Sequence, residues 1–346
     1  MSQMLKEIRE QPAALERTLA SQLKGVAGFR LFLEKRKPRL VVIVARGTSD
    51  NAAQFGRYLI EIMAGIPVSL AAPSVHSIYG ASVDYKDAMV VGISQSGESD
   101  DISAVLEQAR KSGAITVGIT NEPKSTLANL AEHVFLVRAG REKSVAATKT
   151  YTGQLMSLYL LAYALGAKIR LADLEAIPAT AQTALELEAE VGGLAWGFRH
   201  IQHAAVVARG LNYANAFEFA LKMMETSYVV AERFSAADFL HGPIAIVDRE
   251  LPVFLFGPSG RVWASVHETL EKLKALKAET VIITDRSNRE AARFASTVIR
   301  VKASLDELYT PIPYIIPAQL FAAALAGAKN LDADQPRGLR KVTSNL

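Results

Sequence analysis

The sequence predicts an α/β fold made of two tandem copies of one unit, each a parallel sheet flanked by helices. Three observations predict it. Short continuous runs of Val, Ile and Leu recur along the chain, as strands read when helices cover both of their faces. These runs alternate with segments of helical pattern, through short turns that hold Gly or Asn. The chain also matches itself, because Val44-Ala45-Arg46-Gly47 recurs as Val207-Ala208-Arg209-Gly210 at an offset of 163. At the same offset Ser96-Gly97 falls on Ser259-Gly260, behind Val253-Phe254-Leu255-Phe256. One residue of slippage then aligns Val117-Gly118-Ile119-Thr120-Asn121 with Val281-Ile282-Ile283-Thr284-Asp285, and His133-Val134 with Thr297-Val298. Four elements in one order indicate a duplication.

In the first copy the elements read strand 39–45, helix 50–64, strand 67–71, strand 88–93, helix 99–112, strand 115–119 and strand 133–137. An N-terminal helical segment at 1–24 precedes this unit, which spans 25–170; a helical connector at 171–194, within a helical stretch of about 151–190, leads to a second unit at 195–330. A last helix is expected at 316–329, and the polar segment 331–346 follows it as a tail.

Bulk properties agree with two domains, since 346 residues, half of them apolar, exceed one ordinary core. The absence of cysteine excludes thiolate zinc sites and thiol nucleophiles and fits a reducing compartment. Charges at Lys6, Glu7, Arg9, Glu10, Glu16, Arg17 and Lys24 leave no secretory apolar core, and the longest apolar stretch, 155–167, is too short to cross a bilayer. A cytoplasmic protein with no membrane contact is expected. The net charge of +4 is scattered, without a basic stripe interleaved by aromatics, so a nucleic-acid partner is unsupported.

The chemistry concentrates where Met89–Ile93 opens into Ser94-Gln95-Ser96-Gly97-Glu98-Ser99 and a helical pattern begins at Asp100. At the carboxyl end of a parallel strand the free N–H groups of the next helix's first turn favour an anion, and serine hydroxyls add donors. Gly47-Thr48-Ser49 ends the first strand in the same way, so both loops are candidates for a phosphorylated small molecule; a polar loop with an ordinary serine cap is the competing reading. Neither loop has the Gly-x-Gly-x-x-Gly spacing or a Gly-Lys-Ser/Thr sequence, which disfavours nucleotides. The six histidines show no metal-ligand spacing.

Gly47-Thr48-Ser49, Ile93 to Glu98, Val145-Ala146-Ala147-Thr148-Lys149, Ala220-Leu221-Lys222, His241-Gly242-Pro243 and Asp334-Gln335-Pro336-Arg337 stand in the order found in one family. By these motifs the chain resembles the sugar isomerase (SIS) domain family, in particular the paired phosphosugar domains of glucosamine-6-phosphate synthase. The resemblance covers most of the chain and implies a flavodoxin-like three-layer sandwich in each unit. Segments 72–80 and 138–143 are more similar to the SIS-type glucosamine-6-phosphate deaminases. The synthase's glutaminase domain and its cysteine nucleophile have no counterpart in the sequence, so the resemblance implies amino-sugar phosphate deamination without glutaminase activity.

Carried over residue by residue, Gly47, Thr48, Ser49, Ser94, Gln95, Ser96 and Ser99 would hold the phosphate and nearby hydroxyls. Val145 and Ala147 would touch the sugar, although Ala147 stands where the synthase has a serine and offers no hydroxyl. Glu225 would move a proton between C1 and C2, with Lys222 three residues earlier on the same helix face; a surface ion pair is the alternative. His241 would open the sugar ring and reach the neighbouring subunit's site, which implies a homodimer. Lys341, in the tail, would bind the substrate carbonyl or form a Schiff base with it. No cofactor or metal is implied. The expected reaction converts glucosamine 6-phosphate and water to fructose 6-phosphate and ammonia. Galactosamine 6-phosphate, a simple aldose–ketose isomerisation and a non-catalytic phosphosugar sensor are the alternatives.

Overall fold

Two five-stranded, wholly parallel sheets form where the sequence places its apolar runs. The structure, a computed structural model, describes residues 2–339 and 341. The first sheet holds β1 (Leu40–Val44), β2 (Val68–Leu70), β3 (Ala88–Ser94), β4 (Ile115–Thr120) and β5 (His133–Leu136), in the order β2-β1-β3-β4-β5. The second holds β6 (His203–Ala208), β7 (Val230–Ser235), β8 (Val253–Phe256), β9 (Thr280–Asp285) and β10 (Thr297–Val301), in the order β10-β9-β8-β6-β7. Read from β7, that is the same topology. The register repeats as well, for Val44 faces Gly92 and Val207 faces Leu255, both pairs related by the sequence offset.

By packing the chain divides into two compact units, which are interleaved where the sequence suggested a linear partition. One comprises 13–142 and 149–175 with Lys341, around the first sheet; the other comprises 2–12, 143–148 and 176–339, around the second. Hydrogen bonds explain the interleaving. The buried Glu7 carboxylate accepts from Lys143 N (2.5 Å) and Ser144 N (3.1 Å). Gln11 donates to Gln319 Oε1 at 2.9 Å, and Gln319 donates to the Thr148 carbonyl at 3.4 Å. Residues 2–12 and 143–148 are thereby tied to the helix Pro311–Ala328 of the second-sheet unit.

Two helix boundaries differ from expectation. The N-terminal helical segment does not stop near residue 24; it breaks into Gln3–Arg9 and a long helix, Gln11–Arg36. Leu15, Leu19, Val26, Phe29 and Leu33 are buried along it, so the apolar stripe continues past Gly25 and Gly28 and carries the helix with it. The last helix begins at Pro311 and not at 316. Pro311 and Pro313 lie in its first turn, where the missing N–H groups have no intrahelical acceptor to lose. This helix is long and apolar enough to span a bilayer by composition, yet 78 % of its most apolar window is buried within the fold. It is a core helix, packed against Tyr213–Ser227 and Glu188–Gly197.

In the first-sheet unit the helix Lys149–Ala164 is buried almost throughout and stacks Tyr159 edge-on against Phe55. Gly92 in β3 marks a tight helix-to-sheet contact: a Cβ there would lie 2.8 Å from methyl carbons of Leu106 and Leu127. Gly25, in contrast, has nothing within 4 Å of its would-be Cβ. Gly92→Val is therefore expected to destabilise by about 1–3 kcal/mol through overpacking, whereas Gly25→Ala should stabilise by roughly 0.5–1 kcal/mol through helix propensity. Urea unfolding of the two variants checks the pair, and equal effects would contradict this account of the sheet face.

Candidate functional site

Right-handed crossovers send the chain to opposite faces of the first sheet after β1 and after β3, so the gap between these neighbours is the topological switch point. Both serine-bearing loops stand there. Gly47 (φ +56°) turns the chain from β1 into the helix Thr48–Ala64, and Ser99 caps the helix Asp100–Lys111 after β3. Within the second loop the Ser94 hydroxyl accepts from Gly97 N at 3.0 Å and the Ser96 hydroxyl from Glu98 N at 3.4 Å. Gln95 lends its carbonyl to Asn121 N at 3.2 Å. Gly97 adopts φ +69°, and a Cβ there would lie 2.2 Å from the Ser125 hydroxyl, so only glycine closes this turn. Ser99 makes no side-chain cap bond, which leaves the first-turn N–H groups to another acceptor.

The loops are braced by partners that the motif reading did not name. Gln154, 1 % exposed, donates from Nε2 to the Ser49 hydroxyl at 2.9 Å. Ser49 thus accepts from below and keeps its own proton to donate outward, while Gln154 Oε1 is buried without a partner. Arg46 bonds the Asp101 carboxylate at 2.5 Å. The Ser77 hydroxyl and then Arg46 hold that carboxyl below its ordinary range. A groove of about 950 Å³, lined by Arg17, Ser21, Asn121, Arg138 and Arg141 among others, lies beyond the ends of β4 and β5.

Lys341 belongs to the same unit. Its ammonium lies 3.2 Å from Oε2 of Glu142, a carboxylate with no exposed side-chain surface. Glu142 also accepts from the Thr150 hydroxyl at 2.6 Å, so it is fixed before it meets the lysine. Residues 340 and 342–346 of the expected tail lie outside the described residues. The Asp334-Gln335-Pro336-Arg337 motif is anchored in the other unit. Asp334 accepts from Gln3 N (2.5 Å) and Met4 N (2.7 Å) at the start of the first helix, and the Arg337 guanidinium stacks 4.1 Å from the centre of the Tyr228 ring.

In the second-sheet unit, the helix Tyr213–Ser227 carries the expected acid–base pair. Lys222, fully buried, donates to Glu225 Oε2 at 2.5 Å and lies 3.5 Å from Glu218 Oε1, also fully buried. Glu225 is the member that reaches solvent, at 21 % side-chain exposure. Glu218 was missed in the motif reading, although its i−4 spacing from Lys222 is a legible signal. His241 follows the helix Ala236–Leu240, exposed, ahead of Gly242 at φ +141°. Val145 and Ala147 lie half-buried on the 143–148 segment.

Glu225 and His241 do not fall at the same end of their unit. The helix bearing Glu225 starts from the carboxyl end of β6 and runs back, so its last turn lies by the start of β7. His241 comes after the end of β7. A strand of six residues separates these levels, roughly 20 Å.

Comparison with known proteins adds names to this geometry. The family model described as "SIS domain" matches residues 34–164 and 197–328. Glutamine–fructose-6-phosphate aminotransferase (isomerizing) of Gloeobacter violaceus is 36 % identical over 353 residues, covering 98 % of this chain and 58 % of its own length. The chain thus spans under three-fifths of such relatives. The C-terminal domain of glucosamine-fructose-6-phosphate aminotransferase from Francisella tularensis superposes with a TM-score of 0.89 at 30 % identity, over 97 % of this chain and 98 % of that one. Glucosamine-6-phosphate deaminase of Thermotoga maritima superposes at 0.76 with 20 % identity, over 99 % and 100 % of the two chains, a likeness of fold alone.

Gly97→Ala should abolish binding of inorganic phosphate and of sugar phosphates in calorimetric titration, because the turn cannot close on Ser125; unchanged affinity would sink the nest. Replacing Gln154 by Met should weaken sugar-phosphate binding by about 5–30-fold, the loss of roughly 1–2 kcal/mol from one misdirected hydroxyl. An unaltered affinity in that variant would show that Ser49 needs no brace.

Proposed function

The chain belongs to the SIS domain family, and on that premise we propose that it is a cytoplasmic glucosamine-6-phosphate deaminase, yielding fructose 6-phosphate and ammonia. The observation that carries the reading is the Glu218–Lys222–Glu225 cluster, in which a buried ammonium holds one carboxylate at the surface of the fold. Moving hydrogen from C2 to C1 of a sugar needs one such base, able to take a carbon-bound proton and return it next door.

In the proposed sequence the loops after β1 and β3 hold the phosphate through Ser49, Ser94, Gln95, Ser96 and Ser99 with the backbone at Gly47 and Thr48. Val145 and Ala147 flank the sugar. His241 takes the C1 hydroxyl proton and returns a proton to the ring oxygen, opening the ring. Glu225 removes the C2 proton; the electron pair shifts to form an enolamine. Reprotonation at C1 leaves a C2 imine. Water adds to that carbon and ammonia departs with the C–N electron pair. Lys341, braced by Glu142, stabilises charge on the substrate oxygen near C1. Lys222 keeps Glu225 oriented.

Deamination is proposed on the resemblance that segments 72–80 and 138–143 bear to the deaminase group. The 20 Å separation of Glu225 from His241 supports a homodimer in which each chain lends His241 to its neighbour.

Ammonia release from a panel of amino-sugar phosphates tests the substrate, and glucosamine 6-phosphate is expected to be best; a clear preference for galactosamine 6-phosphate would overturn the epimer. Glu225→Gln should lower kcat by about 10²–10⁴-fold while sparing phosphosugar affinity. Mixing the inactive Glu225→Gln and His241→Asn proteins and allowing subunit exchange should restore about a quarter of wild-type activity, since half the dimers then hold one intact site. No recovery under proven exchange would place both residues in one chain's site.

A further inference from the structure

The duplication predicts an anion cradle in the second repeat too, at the switch point between β6 and β8. Its parts are present. Gly210 (φ +61°) ends β6 as Gly47 ends β1, and Ser259-Gly260 (φ +152° at Gly260) follows β8 as Ser96-Gly97 follows β3. The helix Trp263–Ala275 opens above them, with Val262 as its N-cap.

This cradle is already filled. The Glu307 carboxylate accepts from Val262 N at 3.2 Å and from Arg261 N. It lies so close to the loop that a Cβ on Gly260 would sit 2.4 Å from Oε2, and a Cβ on Gly210 would lie 3.8 Å from Oε1. One carboxylate therefore stands between the glycines of both strand-end loops, the place a phosphate is proposed to take in the first repeat. Two further loop donors are used as well, because Ser259 gives its N–H (2.8 Å) and its hydroxyl (2.9 Å) to Asp285. Tyr314 fastens Asp285 from the far side at 2.9 Å. Counted back by the offset of 164 that holds from the fourth strand of each repeat, Glu307 falls on Lys143, two residues before Val145 in the segment expected to touch the sugar. In the first repeat the acidic residue of the loop turns away, for Glu98 bonds the Thr126 N–H and hydroxyl.

We propose that Glu307 is a resident occupant of the second repeat's anion cradle, closing that switch point and limiting each chain to one phosphosugar. The limit of one rests on the first-repeat site described under the proposed function; the occupancy by Glu307 does not. Glycine at 260 leaves room for the internal carboxylate, which a Cβ there would displace.

The test is the binding stoichiometry of the full chain, with fructose 6-phosphate and inorganic phosphate as probes. Wild type should bind one equivalent per chain. Glu307→Ala should bind two, and Glu307→Gln, whose amide oxygen still accepts from Val262 and Arg261, should stay at one. A folded Glu307→Ala protein that binds no more equivalents than wild type, or a wild type that binds two, overturns the proposal. If wild type binds none and Glu307→Ala binds one, the first-repeat reading fails and the occupancy by Glu307 stands. Thermal unfolding covers a weakened variant: Glu307→Ala should melt lower than wild type in phosphate-free buffer and recover with millimolar phosphate. The same deficit with and without phosphate would refute the cradle.

Discussion

A parallel sheet in the order 2-1-3-4-5 must bring two strand ends and two helix starts together at one gap, and the N–H groups that converge there need an acceptor. That requirement shapes both halves of this chain. In the first-sheet unit it is met in part by hydroxyls, Ser94 accepting from Gly97 and Ser96 from Glu98, while Ser99 leaves its helix start uncapped. In the second-sheet unit a carboxylate meets it. Glu307 lies partly withdrawn from water, and burial pushes its carboxyl above the usual range despite the N–H groups of Val262 and Arg261 that act the other way. Those two N–H groups hold the carboxyl in place against the cost of its burial. The first repeat matches the second at Gly47 and Gly210 but not at Gly97 (φ +69°) and Gly260 (φ +152°), and its loop carboxylate, Glu98, bonds Thr126 instead of its own helix start.

Buried charge is distributed by the same logic of complete pairing. Glu218, Lys222, Glu7, Glu142 and Lys149 are all buried, and each has at least one partner of opposite charge or a hydrogen-bonding backbone group. Removing one member of such a set leaves a desolvated charge and costs about 3–5 kcal/mol, more than the pair itself contributes to stability. These residues are therefore weak candidates for holding the fold together and strong ones for orienting something else. Two of the clusters end in a group that emerges from the interior: Glu225 from the Lys222 cluster, and Lys341 from Glu142.

Much of this was legible in the sequence, and the reasons are local. The strands from β1 to β5 are continuous apolar runs bounded by turns, so their positions fall within one or two residues of expectation. The Ser94–Ser99 loop announces itself because strand, glycine and helix start are contiguous. Other features were invisible because they depend on partners far along the chain. Nothing around Glu7 reveals that it accepts from residue 143, and nothing around Gln154 reveals Ser49 beneath its amide. The helix through Gly25 and the helix start at Pro311 depart from the expected bounds of 24 and 316, because a buried stripe carries the first past its glycines and a first-turn position suits the prolines of the second. The closure of the second cradle was hidden too, because a motif at 259–260 is visible in sequence whereas its occupant at 307 is not.

The separation of Glu225 from His241 is what the proposed pairing of chains would have to overcome. A single crossover delivers one residue to the carboxyl ends of the strands and another to the opposite end, because the returning helix must run the length of the strand. Both residues belong to that one crossover and its strand, Glu225 on the helix and His241 after β7, so no loop adjustment within the unit unites them across roughly 20 Å. A two-fold axis removes the difficulty without new structure, since it lays one end of a unit beside the other end of its copy and does so twice. The interface that results is self-complementary, and every site it completes draws on both chains. Under the proposed function, ring opening and proton transfer would then depend on association, and a dissociated chain would keep its strand-end loops and its Lys222 cluster without a neighbour's imidazole.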